Sequence, residues 1–191
     1  MSSPSEALSQ LLAVLDRMEV AYSIGGSVAS SHHGTPRSTL DVDLVADLAA
    51  DQVDELALAL QGGFYADAQT MRDAIRLGRS FNVIHLQTAY KFDFFPLKSD
   101  AYSKTEFARR RFLTISFGEP VECALASAED TILRKLLWYR SGGQTSERQW
   151  NDVRGVLRQN RDRLDYDYMQ HWSKELKIDD LLSELLAEPE P

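Results

Sequence analysis

Tyr22-Ser-Ile-Gly-Gly-Ser27, followed after thirteen residues by Asp41-Val-Asp-Leu44, decides how this chain folds. The first piece reads as a short apolar strand that breaks at two glycines and restarts as a helix at Ser27. Paired glycines let backbone approach a ligand closely, and the free N–H groups of a helix start favour anions. The second piece reads as a strand. Strand side chains alternate faces, so Asp41 and Asp43 project to one side, roughly 7 Å apart along the strand. Val42 and Leu44 turn the other way, into a core. Two carboxylates on one such face oppose each other's ionisation unless a positive charge lies between them. A divalent cation carrying the phosphates of a nucleotide meets that need, because hard cations take oxygen ligands.

A third carboxylate follows in Lys91-Phe-Asp-Phe-Phe95. Alternation puts Phe92 and Phe94 opposite Asp93, so the aromatic rings belong to the core and the carboxylate joins Asp41 and Asp43. Taken singly, a glycine pair marks an ordinary turn and alternating acids mark a solvated face. Their conjunction points to a metal site.

The set Gly25-Gly26-Ser27, then Arg37-Ser-Thr39-Leu-Asp41-Val-Asp43, then Asp93 resembles the signature of the DNA polymerase beta-like nucleotidyltransferase superfamily. The Arg-x-Thr lead-in is most similar to the bacterial minimal and AbiEii-like nucleotidyltransferases. The resemblance implies a small mixed sheet flanked by helices, an α/β (α+β) nucleotidyltransferase-like core with a C-terminal helical bundle. It also implies Asp41, Asp43 and Asp93 as catalytic ligands of Mg²⁺ or Mn²⁺, two cations serving an in-line displacement. Gly25, Gly26, Ser27, Arg37, Lys135 and Arg148 are then the nucleotide-binding residues. Lys135 matches a helical lysine that follows the core in such proteins, and Arg148-Gln-Trp-Asn-Asp152 is similar to a later motif. The implied reaction transfers a nucleoside monophosphate from a triphosphate such as ATP to an acceptor and releases pyrophosphate. A small molecule such as an aminoglycoside, a protein side chain and an RNA 3′ end all fit as acceptor. Two further readings stand beside this one. A catalytically inactive, antitoxin-like module would keep the fold to bind nucleotides or a partner, and a toxin of a toxin–antitoxin pair would charge RNA.

Composition sets the outer bounds. A length of 191 residues suits a catalytic core over residues 1–126 with a helical extension over 127–191, and 43% hydrophobic residues suffice for a core. One cysteine, Cys123, excludes a disulfide within the chain and fits a reducing compartment. No stretch approaches the ~20 apolar residues of a membrane span, so no membrane partner and a cytoplasmic location are expected. The net charge of −8 argues against tight non-specific binding to nucleic acid. Its distribution is uneven: residues 1–97 carry 6 basic and 12 acidic side chains, residues 98–163 carry 13 and 9. A basic middle facing an acidic front suits carboxylates that must meet a triphosphate, and solvated helix faces would give the same count.

In chain order, Ser3-Pro-Ser-Glu6 forms a capping box ahead of Leu8, Leu11, Leu12 and Leu15 at helical spacing. Strands are expected near 20–24, 40–46, 81–86, 90–95, 112–117 and 121–123. Helices are expected near 27–34, 50–60, 67–79, 100–111 and from Ser127 to Gly142. Ser146 opens the next helix, with shorter ones near 165–176 and 178–187 and a frayed end over 188–191. Asp47 is assigned to helix capping. His32-His33 are read as non-ligating, because neighbouring side chains on a helix diverge. His85 and His171 have no evident partner. Arg148 and Asp152, one helical turn apart, can bridge at the surface, and Trp138, Tyr139 and Trp150 are read as inter-helix packing.

Overall fold

The computed structural model describes residues 3–188; the frayed end expected at 188–191 lies, beyond Glu188, outside the described residues. Helix α1 (Pro4–Arg17) opens with the expected capping box: Ser3 Oγ accepts from the Glu6 N–H, and the Glu6 carboxylate accepts from the Ser3 N–H. Its four leucines are buried. Strand β1 (Tyr22–Ile24) leads directly into α2 (Gly26–His33), and β2 (Asp41–Ala46) follows. A single 3₁₀ turn at 50–52 leads into α3 (Val53–Ala59). Asp47 caps neither, since Ala49 and Gln52 hold the two N-cap positions.

Next come β3 (Phe64–Tyr65), α4 (Ala68–Leu77), β4 (Phe81–His85) and β5 (Lys91–Pro96). The two-residue β3 carries too little pattern to be legible in the sequence. Helix α5 (Ala101–Ala108) is followed by β6 (Arg111–Phe117) and β7 (Glu119–Leu125). Strand β7 is longer than the three residues expected, because every residue from 119 to 125 pairs with β6 across a tight hairpin at Gly118. The chain ends in α6 (Ala128–Ser141), α7 (Glu147–Asn160), α8 (Tyr166–Glu175) and α9 (Asp179–Ala187).

The sheet is mixed, in the order β3-β4-β5-β2-β1-β7-β6. At its centre β2 runs antiparallel to β1 and parallel to β5. Register in that parallel pair is what builds the site. Asp41 lies opposite Lys91, and Asp43 opposite Asp93. On the reverse face Val42, Leu44, Phe92 and Phe94 are fully buried, which fixes the register, since a slip by one residue would turn the carboxylates into the core.

Two apolar clusters support this arrangement. One packs α1, α3 and α4 against the sheet; the other joins Tyr102 to the apolar sides of α6, α7, α8 and α9. Helices α2 and α7 meet at small residues. A β-carbon on Gly34 would fall 2.7 Å from the Val156 amide nitrogen, and one on Gly155 would fall 3.0 Å from Thr35 Oγ1. Cys123 is buried in the sheet cluster. Among the described residues, no helix is long and apolar enough to cross a membrane.

Candidate active site

The carboxylates sit on one face of the central parallel pair. Thr39 Oγ1 donates to Asp41 Oδ1 at 2.8 Å, and the Tyr90 hydroxyl donates to the Thr39 carbonyl, which anchors the lead-in to β2. Asp43 is partly buried between the other two. Its carboxyl is pushed up to about 6, first by burial and then by the negative charges of Asp41 and Asp93. Gly26, at φ +54°, leaves room for it, since a β-carbon there would fall 1.8 Å from Asp43 Oδ2. The Gly25 N–H donates to the Asp43 carbonyl at 2.9 Å. The turn from β1 into α2 is therefore tied to the aspartate strand by both backbone and side chain.

Asp93 has two unlike oxygens. Oδ2 lies 2.7 Å from Lys91 Nζ, whereas Oδ1 is buried and has no hydrogen-bond partner among the described residues. A buried carboxylate oxygen with unused acceptor capacity, beside a second carboxyl, fits a site that receives a cation or a proton. Among the described residues, however, no three His, Cys, Asp or Glu side chains converge as a ready-made metal cage. The donor set that fits a divalent cation is the pair Asp41 and Asp43, completed by oxygens from a ligand.

A basic cluster faces these acids. Arg37 donates to Asp152 through Nε at 3.0 Å and Nη2 at 2.9 Å, and Nη2 also donates to Ser27 Oγ at 2.6 Å. Lys135 Nζ, on α6, reaches the same Asp152 carboxylate at 2.7 Å. Burial holds the Lys135 ammonium below its usual range, only partly offset by Asp152. Burial also opposes the charge on Asp152, but hydrogen bonds from Arg37 and Lys135 prevail and keep its carboxyl below the usual range. Asp152 therefore pairs with these two cations, in place of the surface bridge to Arg148 that their helical spacing allows. Arg148 lies exposed on α7 at the edge of the same cleft.

The cleft measures about 480 Å³ and brings together Gly25, Gly26, Ser27, Arg37, Asp41, Asp43, Asp93, Lys135 and Arg148, the catalytic and nucleotide-binding candidates of the sequence. Phe95, Phe107 and Trp138 line it beyond Asp93. Trp138 is 45% exposed, with its ring 5.8 Å from Phe95, whereas Tyr139 and Trp150 pack on each other between helices. Two further residues belong to the site: Lys91, which the sequence left without a role, and Asp152, which it placed in the later motif and at a surface bridge. Lys91 shares the alternation that places Asp93 and was legible in principle. The role of Asp152 was not, because its partner Arg37 is 115 residues away. The histidines stand outside the acidic face: His33 Nε2 bonds the Ala126 carbonyl, His85 Nδ1 bonds Thr88 Oγ1, and His171 packs on Trp172.

No protein-family model and no curated protein sequence matches the chain. Solved structures do. ANT(2″)-Ia in complex with adenylyl-2″-tobramycin superposes with a TM-score of 0.55 at 16% identity, over 92% of this chain and 98% of that one. The lincosamide antibiotic adenylyltransferase LnuA, in its lincomycin-bound form, gives 0.53 at 13% identity, over 82% and 98%. An antigenic nucleotidyltransferase-like protein from Paracoccidioides brasiliensis gives 0.53 at 19% identity, over 100% and 96%. Likeness at such identities is likeness of fold: a mixed seven-stranded sheet with C-terminal helices, the nucleotidyltransferase fold shared with antibiotic adenylyltransferases.

Proposed function

We propose that the protein is a metal-dependent nucleotidyltransferase that moves a nucleoside monophosphate from a triphosphate to an acceptor hydroxyl. The observation that carries this reading is the in-register pairing of Asp43 with Asp93 beside the Gly26 turn, facing Arg37 and Lys135 across one cleft. The adenylyltransferases among the structural neighbours favour ATP as donor. The Arg37-x-Thr39 lead-in favours the bacterial minimal and AbiEii-like branch, and residues 1–126 and 127–191 are assigned as catalytic core and helical extension.

Asp41 and Asp43 would hold Mg²⁺ or Mn²⁺ together with phosphate oxygens. When bound, that cation neutralises charge on the reacting phosphates. The chain's own groups supply the rest. Ser27 and the free amides at the start of α2 receive the β- and γ-phosphates. Arg37 and Lys135 offset the charge that develops on pyrophosphate. Asp93 Oδ1, without a partner among the described residues, accepts the proton of the acceptor hydroxyl as the hydroxyl oxygen bonds to the α-phosphorus. The bond from that phosphorus to the bridging oxygen breaks, and its electron pair leaves with pyrophosphate.

An inactive binding module would have no need to gather three carboxylates along one cleft, so the catalytic reading is preferred. The test is incubation with Mg²⁺, α-labelled triphosphates and a cell extract freed of small nucleotides. Label should pass to acceptor material in step with pyrophosphate release, and Asp43→Asn should abolish both. Nucleotide binding without pyrophosphate under any extract would assign the protein to the binding class.

A further inference from the structure

The face that carries the three aspartates also carries Lys91. Parallel pairing sets Asp41 beside Lys91 and, one alternation further, Asp43 beside Asp93. Adjacent strands lie ~4.8 Å apart and alternate residues ~7 Å apart, so four charged side chains stand at the corners of a small rectangle. Three are carboxylates and one is an ammonium, a formal charge of −2 that one divalent cation cancels. The ammonium is paired, although the side chain is partly exposed. Nζ lies 2.7 Å from Asp93 Oδ2, which spends one oxygen of Asp93 and leaves Oδ1 buried and without a partner among the described residues. A carboxylate tethered in this way is poorly placed to bridge a second cation, in keeping with the absence of a three-ligand cage among the described residues.

We propose that Lys91 is the second cation of this site: by holding Asp93 it restricts the aspartates to one divalent cation, on Asp41 and Asp43, and reserves Asp93 Oδ1 for the acceptor hydroxyl. This rests on the nucleotidyltransferase reading and departs from the two-cation scheme that the sequence resemblance implies. Lys91 is a positioning residue here, acting through Asp93. With a side chain 40% exposed, it has room to stay on Asp93 when the cleft fills, and the charges of Asp41 and Asp43 hold it over the same face.

Equilibrium dialysis tests this without turnover. Full-length protein is dialysed against Mn²⁺ and the α,β-methylene analogue of ATP, and the excess of each on the protein side is counted. Wild type should accumulate one Mn²⁺ per bound nucleotide, and Asp93→Asn should still accumulate one. Lys91→Met, similar in length and uncharged, should accumulate two. A ratio of two in wild type that falls to one in Asp93→Asn overturns the proposal while leaving the nucleotidyltransferase reading intact. So does a ratio of one in folded Lys91→Met. Should Lys91→Met fail to fold, the comparison of wild type with Asp93→Asn decides alone. Wild type that gathers neither Mn²⁺ nor nucleotide overturns both readings together.

Discussion

Arg37 and Asp152 meet through two parallel hydrogen bonds, Nε to Oδ1 at 3.0 Å and Nη2 to Oδ2 at 2.9 Å, across 115 residues of chain. The pair ties the loop ahead of the aspartate strand to α7, and Lys135 on α6 joins the same carboxylate. Two cations share one anion, so the cluster keeps a surplus positive charge beside Ser27, where phosphate is expected to arrive. Planar, two-point pairing also fixes how the guanidinium is presented.

Removing that anion should therefore be costly in a way that removing either cation is not. Asp152→Ala leaves Arg37 and Lys135 half-buried without the carboxylate that both bond, and such loss within a buried pair costs about 3 kcal/mol or more. Arg37→Ala leaves Asp152 and Lys135 still paired and should cost less. Urea denaturation of the two variants checks this ordering. Equal losses would mean that Lys135 does not depend on Asp152.

Gly26 and Gly25 are neighbours with opposite tolerance. Gly26→Ala places a methyl group 1.8 Å from Asp43 Oδ2 at a positive φ, whereas a β-carbon on Gly25 meets nothing within 4 Å. The left-handed conformation alone costs about 1–2 kcal/mol in a residue with a side chain. Gly26→Ala should lower stability by at least that and displace Asp43, abolishing Mn²⁺-dependent nucleotide binding. Gly25→Ala should stay within about 1 kcal/mol of wild type and keep most binding. Thermal melts and nucleotide titrations of both variants suffice.

The sequence carried most of the sheet and the acidic half of the cleft, because both obey local rules. Alternation in Asp41–Leu44 and Lys91–Phe95 states which side chains share a face, and full burial of Phe92 and Phe94 follows from the same pattern. The order of strands was not legible, since β1 and β7 pair across almost the whole core and leave no local trace. Asp152 shows the limit at the site. Its spacing to Arg148 suggested a surface bridge, and the partners it takes lie on two other elements. Lys91 was overlooked for a different reason: a lysine on a strand reads as solvent-facing until its neighbour is known to be a carboxylate with nowhere else to turn.

Asp43 predicts a pH dependence with a definite sign. Its carboxyl is raised in the folded metal-free protein to about 6 from an ordinary value of 3.8. Below that ordinary value it is neutral in both states and exerts no effect. As pH rises toward 6, unfolding releases its proton and is favoured; above about 6 the penalty is fully present. A rise of that size corresponds to roughly 3 kcal/mol. Asp43→Asn carries no such charge, so its stability should exceed wild type by an amount that grows between about pH 4 and 6 and then levels off. Metal-free denaturation at several pH values measures the difference. A difference that is flat with pH would mean that Asp43 is not strained.

Asp41, Asp43 and Asp93 separate chemistry from folding. Their mutual repulsion opposes the metal-free fold near neutral pH, and Asn keeps the shape while removing a charge. Each Asp→Asn variant should therefore melt no lower than wild type without metal. With Mg²⁺, each should lose turnover by about 1,000-fold or more, because a lost ligand or base removes several kcal/mol of transition-state stabilisation. The pattern of binding should divide them. Asp41→Asn and Asp43→Asn should weaken both the metal-induced rise in melting temperature and nucleotide affinity. Asp93→Asn should keep both while losing turnover, since Asp93 is assigned to the acceptor hydroxyl rather than to the phosphates. Metal-free melts, melts with Mg²⁺ and the ATP analogue, and pyrophosphate release read out the three properties independently. Variants that unfold would make these aspartates structural, and an Asp93→Asn protein that turned over at the wild-type rate would remove the proton acceptor from this position.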